Sequence, residues 1–314
     1  MSVTLELRPF APFCLELTVW ALRRRARNKV DLWDGRYHRV LVVDGRPLTL
    51  VVEQRGTPDS PRLTLSVSGR DRDITAERVQ VARRVLERSL GLNIDLRDFY
   101  HLAQTDSPLA DLVTRFRGVK PPRFPTVFES LTNAVACQQL SLEVGIELLN
   151  RLSDAYGEPS GDGPSPLKSF PEPAVIAVAS PHDLRQLGFS AQKSDTLIRL
   201  ATAVGSGEVD RLALSALPRE EATMALRGLK GIGRWSAEYV LLRGFGRLDI
   251  FPGDDVGARK KLRSFFELPD APDYAAINRL TSRWAPYAGM VYFHFLLDGL
   301  VGRGILAARD SPPT

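Results

Sequence analysis

The stretch that most restricts how this chain can fold runs from residue 225 to 242 and reads A-L-R-G-L-K-G-I-G-R-W-S-A-E-Y-V-L-L. Leu226 ends one helical pattern, and Ser236 to Leu242 begin another with Ala237, Val240 and Leu241 turned inward. Gly228 to Gly233 must turn tightly between them, with Gly231 and Gly233 bracketing Ile232. Glycines two apart let the backbone come close to a ligand. Amides at the start of the second helix point outward, where they can bind a phosphate. A helix, a hairpin and a second helix arranged this way grip one nucleic-acid backbone phosphate without reading sequence. A plain helix–helix turn uses the same glycines, and both readings stand at this point.

Asp254 and Asp255 lie 21 and 22 residues beyond Gly233, directly after the turn Phe251-Pro252-Gly253. Pro and Gly there favour a turn leading into a new helix near Asp254. An Asp at a helix start is ordinarily a cap. One cap accounts for one of the two residues; the other can face a nucleotide held by the hairpin.

The rest of the chain divides by periodicity. Phe13, Leu15, Leu17 and Val19 alternate with other residues, as do Leu63, Leu65 and Val67, which is the period of half-buried strands. Asp34-Gly35 and Asp44-Gly45 sit between apolar runs as hairpin signals. Residues 74–90 switch to helical spacing. After Pro121-Pro122 the pattern is helical almost to the end, with a capping box at Thr126 and Glu129 and a helix start at Ser180-Pro181-His182-Asp183. Residues 157–173 are rich in Pro, Gly and Ser and read as a loop with a mobile tip, and the tail after Arg309 is expected to fray. The expectation is an α+β chain: an antiparallel β-rich domain with one helix over residues 1–118, then an all-helical domain over 119–314.

Composition removes several classes. Two cysteines, Cys14 and Cys137, exclude a disulfide scaffold, a four-cysteine zinc site and a four-cysteine iron–sulfur cluster. Both thiols are expected to be reduced and buried. The apolar stretch Gly289 to Leu297 is too short to span a bilayer and contains His294, and no signal peptide is evident, so a cytoplasmic protein without a membrane partner is expected. His294 reads as a core histidine more than a ligand, and no ligand cluster points to a catalytic metal. The net charge is +5, and residues 1–118 carry all of it, with 20 Lys+Arg against 15 Asp+Glu. Much of the excess is Arg23-Arg24-Arg25-Ala26-Arg27, read either as a nucleic-acid contact or as a solvated loop.

The hairpin L-K-G-I-G-R-W-S-A-E-Y and the downstream F-P-G-D-D resemble the helix–hairpin–helix (HhH-GPD) DNA glycosylase superfamily, and within it the 3-methyladenine DNA glycosylase II branch. Ala134 to Ser141 (A-V-A-C-Q-Q-L-S), Leu187 to Lys193 (L-G-F-S-A-Q-K) and Trp284-Ala285-Pro286-Tyr287 resemble further segments of that family, and the β-rich first third fits the branch's extra domain. The resemblance implies excision of alkylated bases of the 3-methyladenine and 7-methylguanine type from double-stranded DNA, by a monomer that needs no cofactor. It implies that Asp255 is the catalytic residue. A carboxylate there suits the chemistry, since breaking an N-glycosidic bond develops positive charge on the sugar.

The resemblance also assigns the surroundings. Trp235, Tyr239 and Phe13 are the implied base pocket; Trp235 and Tyr239, four residues apart on one helix face, can stack, and ordinary core packing explains them as well. Gly231, Ile232, Gly233, Arg234 and Ser236 are the implied DNA-binding hairpin. Gln138 or Gln139 would fill the gap left by a flipped base, or else is a surface glutamine at a helix end. The carbonyls of Arg227, Leu229 and Gly231 are the implied ligands of a structural monovalent cation. Bifunctional relatives place a nucleophilic lysine two residues after the second hairpin glycine; here that residue is Trp235, which implies a hydrolase without lyase activity. Val256 and Leu296 stand where the best-known pattern has aromatic residues, which makes the implied pocket less aromatic. Two rival readings remain: an 8-oxoguanine-type glycosylase, which the missing lysine opposes, and a non-catalytic helix–hairpin–helix DNA-binding protein, for which both Asp residues are caps.

Overall fold

A computed structural model describes residues 2–70, 74–160 and 167–307. Five strands, β1 (Ser2–Leu7), β2 (Leu32–Trp33), β3 (Tyr37–Val43), β4 (Arg46–Arg55) and β5 (Arg62–Ser68), form one antiparallel sheet in the order β1-β5-β4-β3-β2. Asp44 and Gly45 join β3 to β4 with φ of 49° and 69°, the left-handed pair that a two-residue hairpin requires. Leu50 pairs with Val67 and Val52 with Leu65, all fully buried. Slipping that register by one residue would turn the whole apolar row to solvent.

The first expected strand is instead a helix, α1 (Leu15–Arg23). It is buried on every side, from Leu17 through Leu22, so its sequence carries no polar face to betray a helical period. The described residues of 1–118 hold four helices where one was expected. The others are α2 (Ala76–Ser89), capped by Thr75, then α3 (Arg97–Gln104) and α4 (Ser107–Arg115). α1, α3 and α4 share an apolar core with the last helices of the chain, α13 (Val256–Phe265), α14 (Tyr274–Thr281) and α15 (Ala288–Val301). The sheet packs on a second core built with α5 (Val127–Cys137), α6 (Leu142–Tyr156) and α9 (Ala191–Gly205).

α5 is the element that links sheet and site. Thr126 caps its start by accepting the Glu129 N–H at 3.0 Å. The expected capping box is only half formed, because the Glu129 side chain turns to Arg39 on β3 at 2.5 Å, and Arg39 also holds Asp31 at 2.5 Å. All three are buried, so this ion network fixes α5 against the sheet. Short helices α7 (Pro173–Ala177), α8 (Pro181–Gln186) and α10 (Arg211–Ala216) complete the frame, with Ser180 capping α8 as expected. The tip of the 157–173 loop and the tail after Arg309 fall outside the described residues.

Candidate active site and DNA-binding hairpin

α11 (Arg219–Gly228) and α12 (Arg234–Val240) flank the turn, and α12 runs on through a π-helical turn, Leu241–Phe245. The Ile232 N–H donates to the Leu229 carbonyl at 3.0 Å, closing the hairpin. Gly231 has φ +90°, and a Cβ on it would lie 2.6 Å from Thr196 on α9, so only glycine fits. Gly233 caps α12 and has open space around it. Ile232 and Ser236 are buried, so their side chains anchor the turn and leave its backbone to face outward.

Gln138 belongs to this anchor. Its amide Nε2 donates to the Gly231 carbonyl at 2.9 Å and to Ser236 Oγ at 2.8 Å. Lys193 Nζ holds the Gln138 carbonyl at 2.8 Å. The residue free to reach a neighbouring molecule is Gln139, exposed with φ 55°, next to Leu140, also exposed. The Leu229 and Gly231 carbonyls implied as cation ligands each already accept an N–H, so a cation would share both oxygens with those donors.

Asp255 is the N-cap of α13 and more than a cap. Its Oδ1 accepts the Ala258 N–H at 2.9 Å. Its Oδ2 accepts from Tyr292 Oη at 3.1 Å and from Trp235 Nε1 at 3.3 Å. Burial, and then the Asp255 charge, push the Tyr292 phenol well above its ordinary value, so it stays protonated and donates. Asp254 is spent differently: Arg234 grips it with two hydrogen bonds, at 2.6 and 3.1 Å.

Trp235 and Tyr239 are in ring contact, with centroids 5.3 Å apart, but their planes are tilted by 32° and do not form the expected stack. Tyr239 is buried, and its hydroxyl accepts from Arg24 at 2.7 Å. The basic run is therefore corrected from a surface feature to an internal one. Arg23, Arg24 and Arg25 are buried, and Arg25 pairs with Glu143 at 2.5 Å, while Arg27 is exposed. Phe13 is also corrected: it is fully buried, with its N–H on the Pro58 carbonyl and its carbonyl on Gln54, and belongs to the core beside the sheet.

A cavity of about 100 Å³ opens beside Asp255 and is lined by Tyr292, Phe295, Leu296, Lys261 and Arg303. Leu296 thus faces the site as its position implied, while Val256 is exposed and does not line the cavity. Sequence reasoning missed Tyr292, although it stands four residues before Leu296 and so on the same helix face. It also missed Lys261, an amine in the cavity wall that pairs with Asp298 at 2.5 Å. His294 is a core residue between Phe99 and Phe116. Among the described residues no group of three or more His, Cys, Asp or Glu converges to hold a metal, and no helix is long and apolar enough to cross a membrane.

Residues 132–286, which contain the hairpin, Gln138, Trp235 and Asp255, match the family described as HhH-GPD superfamily base excision DNA repair protein. DNA-3-methyladenine glycosylase 1 of Schizosaccharomyces pombe is 31% identical over 180 residues, 57% of this chain and 75% of that protein. This chain belongs to the HhH-GPD superfamily. DNA-3-methyladenine glycosylase of Bacillus subtilis is 31% identical over 200 residues, 63% of this chain and 66% of that relative. Two other curated relatives are matched over only 55% and 59% of their lengths. The solved 3-methyladenine DNA glycosylase of Archaeoglobus fulgidus shares the fold across 97% of this chain and all of its own, with a TM-score of 0.80 at 23% identity. The sheet and helices described above therefore share their arrangement with that solved structure.

Proposed function

We propose that this chain is a monofunctional DNA glycosylase that removes alkylated bases, of the 3-methyladenine and 7-methylguanine type, from double-stranded DNA in base excision repair. It works as a cytoplasmic monomer and uses water, without a cofactor. The observation that carries this reading is the Asp255 carboxylate, oriented by Tyr292 and Trp235 next to the Trp235–Tyr239 ring pair and one helix away from the hairpin. The names of the relatives support the substrate class.

The chemistry follows from that placement. The open backbone at Gly233 and the amides behind it hold a phosphate, which fixes the duplex without regard to sequence. The damaged nucleotide leaves the stack at a cost of a few kcal/mol, lower for a weakened pair. Its base rests against the indole, whose π face attracts a cationic purine by ~0.5–2 kcal/mol. As the glycosidic bond lengthens, positive charge grows on the sugar, and Asp255 stabilises it and orients the attacking water. The base leaves with the bonding electron pair, water supplies the hydroxyl at the sugar, and the proton that water sheds passes to the Asp255 carboxylate and on to solvent.

Asp255→Asn tests this reading. Asn caps helices as well as Asp does, so the fold and duplex affinity should hold. Excision from single-lesion duplexes should drop by ~10²–10³ or more. Release of alkylated base at the parental rate would remove Asp255 from the mechanism.

A further inference from the structure

We propose that Glu238, together with Tyr274, is a positioning residue for Asp255, holding the turn from which that carboxylate projects. The proposal rests on Asp255 acting as described above. Glu238 lies on α12 and is 2% exposed. Its Oε2 accepts the Gly253 N–H at 3.1 Å, and its Oε1 accepts the Tyr274 hydroxyl. The nearest cation, Arg219, is 3.9 Å away. Burial pushes the Glu238 carboxyl up from its ordinary value. Burying a carboxylate this deeply is costly, and an apolar residue would pack α12 against the turn without that cost. What the carboxylate adds is direction: it fixes one backbone N–H of the turn two residues before Asp255.

The neighbours act in the same sense. A Cβ on Gly253 would lie 2.9 Å from the Tyr274 ring, so the turn is pressed against that ring. The Arg234 guanidinium sits 3.7 Å from the same ring's centroid while it grips Asp254. Residues 234, 235 and 238 of α12 therefore hold residues 254, 255 and 253 respectively. The start of α12 is also the phosphate-binding end of the hairpin. One short helix thus sets the distance from the gripped phosphate to the carboxylate, with Glu238 as its least exposed link. A shift of about 1 Å in a reacting group can cost ~10²-fold in rate.

The test uses full-length protein carrying Glu238→Ala, Glu238→Gln, Tyr274→Phe or Asp255→Asn. Two quantities are measured: single-turnover excision from an alkylated duplex, and affinity for two abasic analogues. One analogue has a cationic pyrrolidine in place of the sugar, the other a neutral tetrahydrofuran. The ratio of the two affinities reads how well Asp255 meets positive charge, and general loss of stability does not move it. Glu238→Ala should slow excision by ~10–100-fold and lower the ratio by a similar factor, with tetrahydrofuran affinity unchanged. Tyr274→Phe should act in the same direction by a few-fold to ~10-fold. Glu238→Gln should restore most of both, because its carbonyl still accepts from Gly253 and its amide can donate to the Tyr274 oxygen. If Gln falls as far as Ala, the charge of Glu238 matters rather than its hold, and the proposal is overturned. Parental rate and ratio in Glu238→Ala overturn it too. Should the Ala variant not fold, Tyr274→Phe decides by the same two readouts. Parental excision by Asp255→Asn would instead remove the reading on which the proposal stands.

Discussion

Gly231 and Gly233 are two residues apart, and alanine at each should have a different consequence. At Gly231 the backbone has φ +90°, which costs an L-residue ~1–2 kcal/mol. The new Cβ would also lie 2.6 Å from both Cγ2 and Oγ1 of Thr196. Thr196 is buried in α9, where a β-branched side chain has few rotamers to escape into, so overpacking adds ~1–3 kcal/mol. Gly231→Ala should therefore lose about 2–5 kcal/mol of stability. Gly233 has φ −85° and open space, and alanine there sacrifices only a modest cap preference, ~1 kcal/mol or less. Its effect should appear in DNA binding, with affinity for damaged and undamaged duplex falling together. Urea denaturation and gel-shift titration on both variants separate the two outcomes. Adding Thr196→Ala to Gly231→Ala should recover the clash but not the backbone strain. If Gly231→Ala is as stable as the parent, the close-packed hairpin described here is wrong. If Gly233→Ala binds undamaged duplex normally, no phosphate approaches that backbone.

Two further expectations concern mechanism and pH. Borohydride added during turnover should trap no covalent protein–DNA adduct, with strand breaks only after alkali; an efficient adduct that disappears in Lys261→Ala would make the cavity lysine a nucleophile and the protein a lyase. His294 donates from Nδ1–H to the Met290 carbonyl at 2.8 Å, its Nε2 has no partner, and burial lowers its pKa to about 4. The unfolded chain, with His near ~6.5, then binds the extra proton between those values, so stability should fall as pH drops through that window, by ~3 kcal/mol at pH 4. His294→Leu should remove that part of the acid-side slope, and an unchanged slope in urea midpoints from pH 7 to 4 would contradict it.

How much of this was legible in the sequence depended on whether a residue's job is local. The Asp44-Gly45 turn, the Thr126 and Ser180 caps and the glycine hairpin are set by neighbours within a few residues, and each stands where its signal placed it. The Trp235–Tyr239 contact followed from helical spacing, but not the tilt of its rings. Asp255 was singled out by the family resemblance, but its cap and its contact with Tyr292 were separable only in three dimensions, since Tyr292 lies 37 residues away. α1 was misread because a helix buried on all sides has no polar stripe, and its alternation mimicked a strand. The arginine run was misread for a related reason. Charge in sequence says nothing about whether Tyr239, Asn133 and Glu143, more than a hundred residues on, will close around it. Glu238 was visible only as one letter of a motif, because its partner Gly253 belongs to a turn whose approach to α12 no local pattern records.

The chain has four tryptophans, and one of them, Trp235, donates to Asp255 while lying against the Tyr239 ring. An indole in that position is a light-emitting group whose excited state senses both the nearby carboxylate and whatever covers its face. Trp284, by contrast, is buried and stacked on Phe266, so its emission should stay constant as the site fills. A flipped base stacking on Trp235 would quench it and displace water from its edge, changing intensity and wavelength together. On the proposed reading of the site, the protein would carry its own optical clock for nucleotide entry. Unlabelled DNA and a stopped-flow instrument suffice to time base arrival separately from bond cleavage, because the first event alters the indole and the second alters the strand.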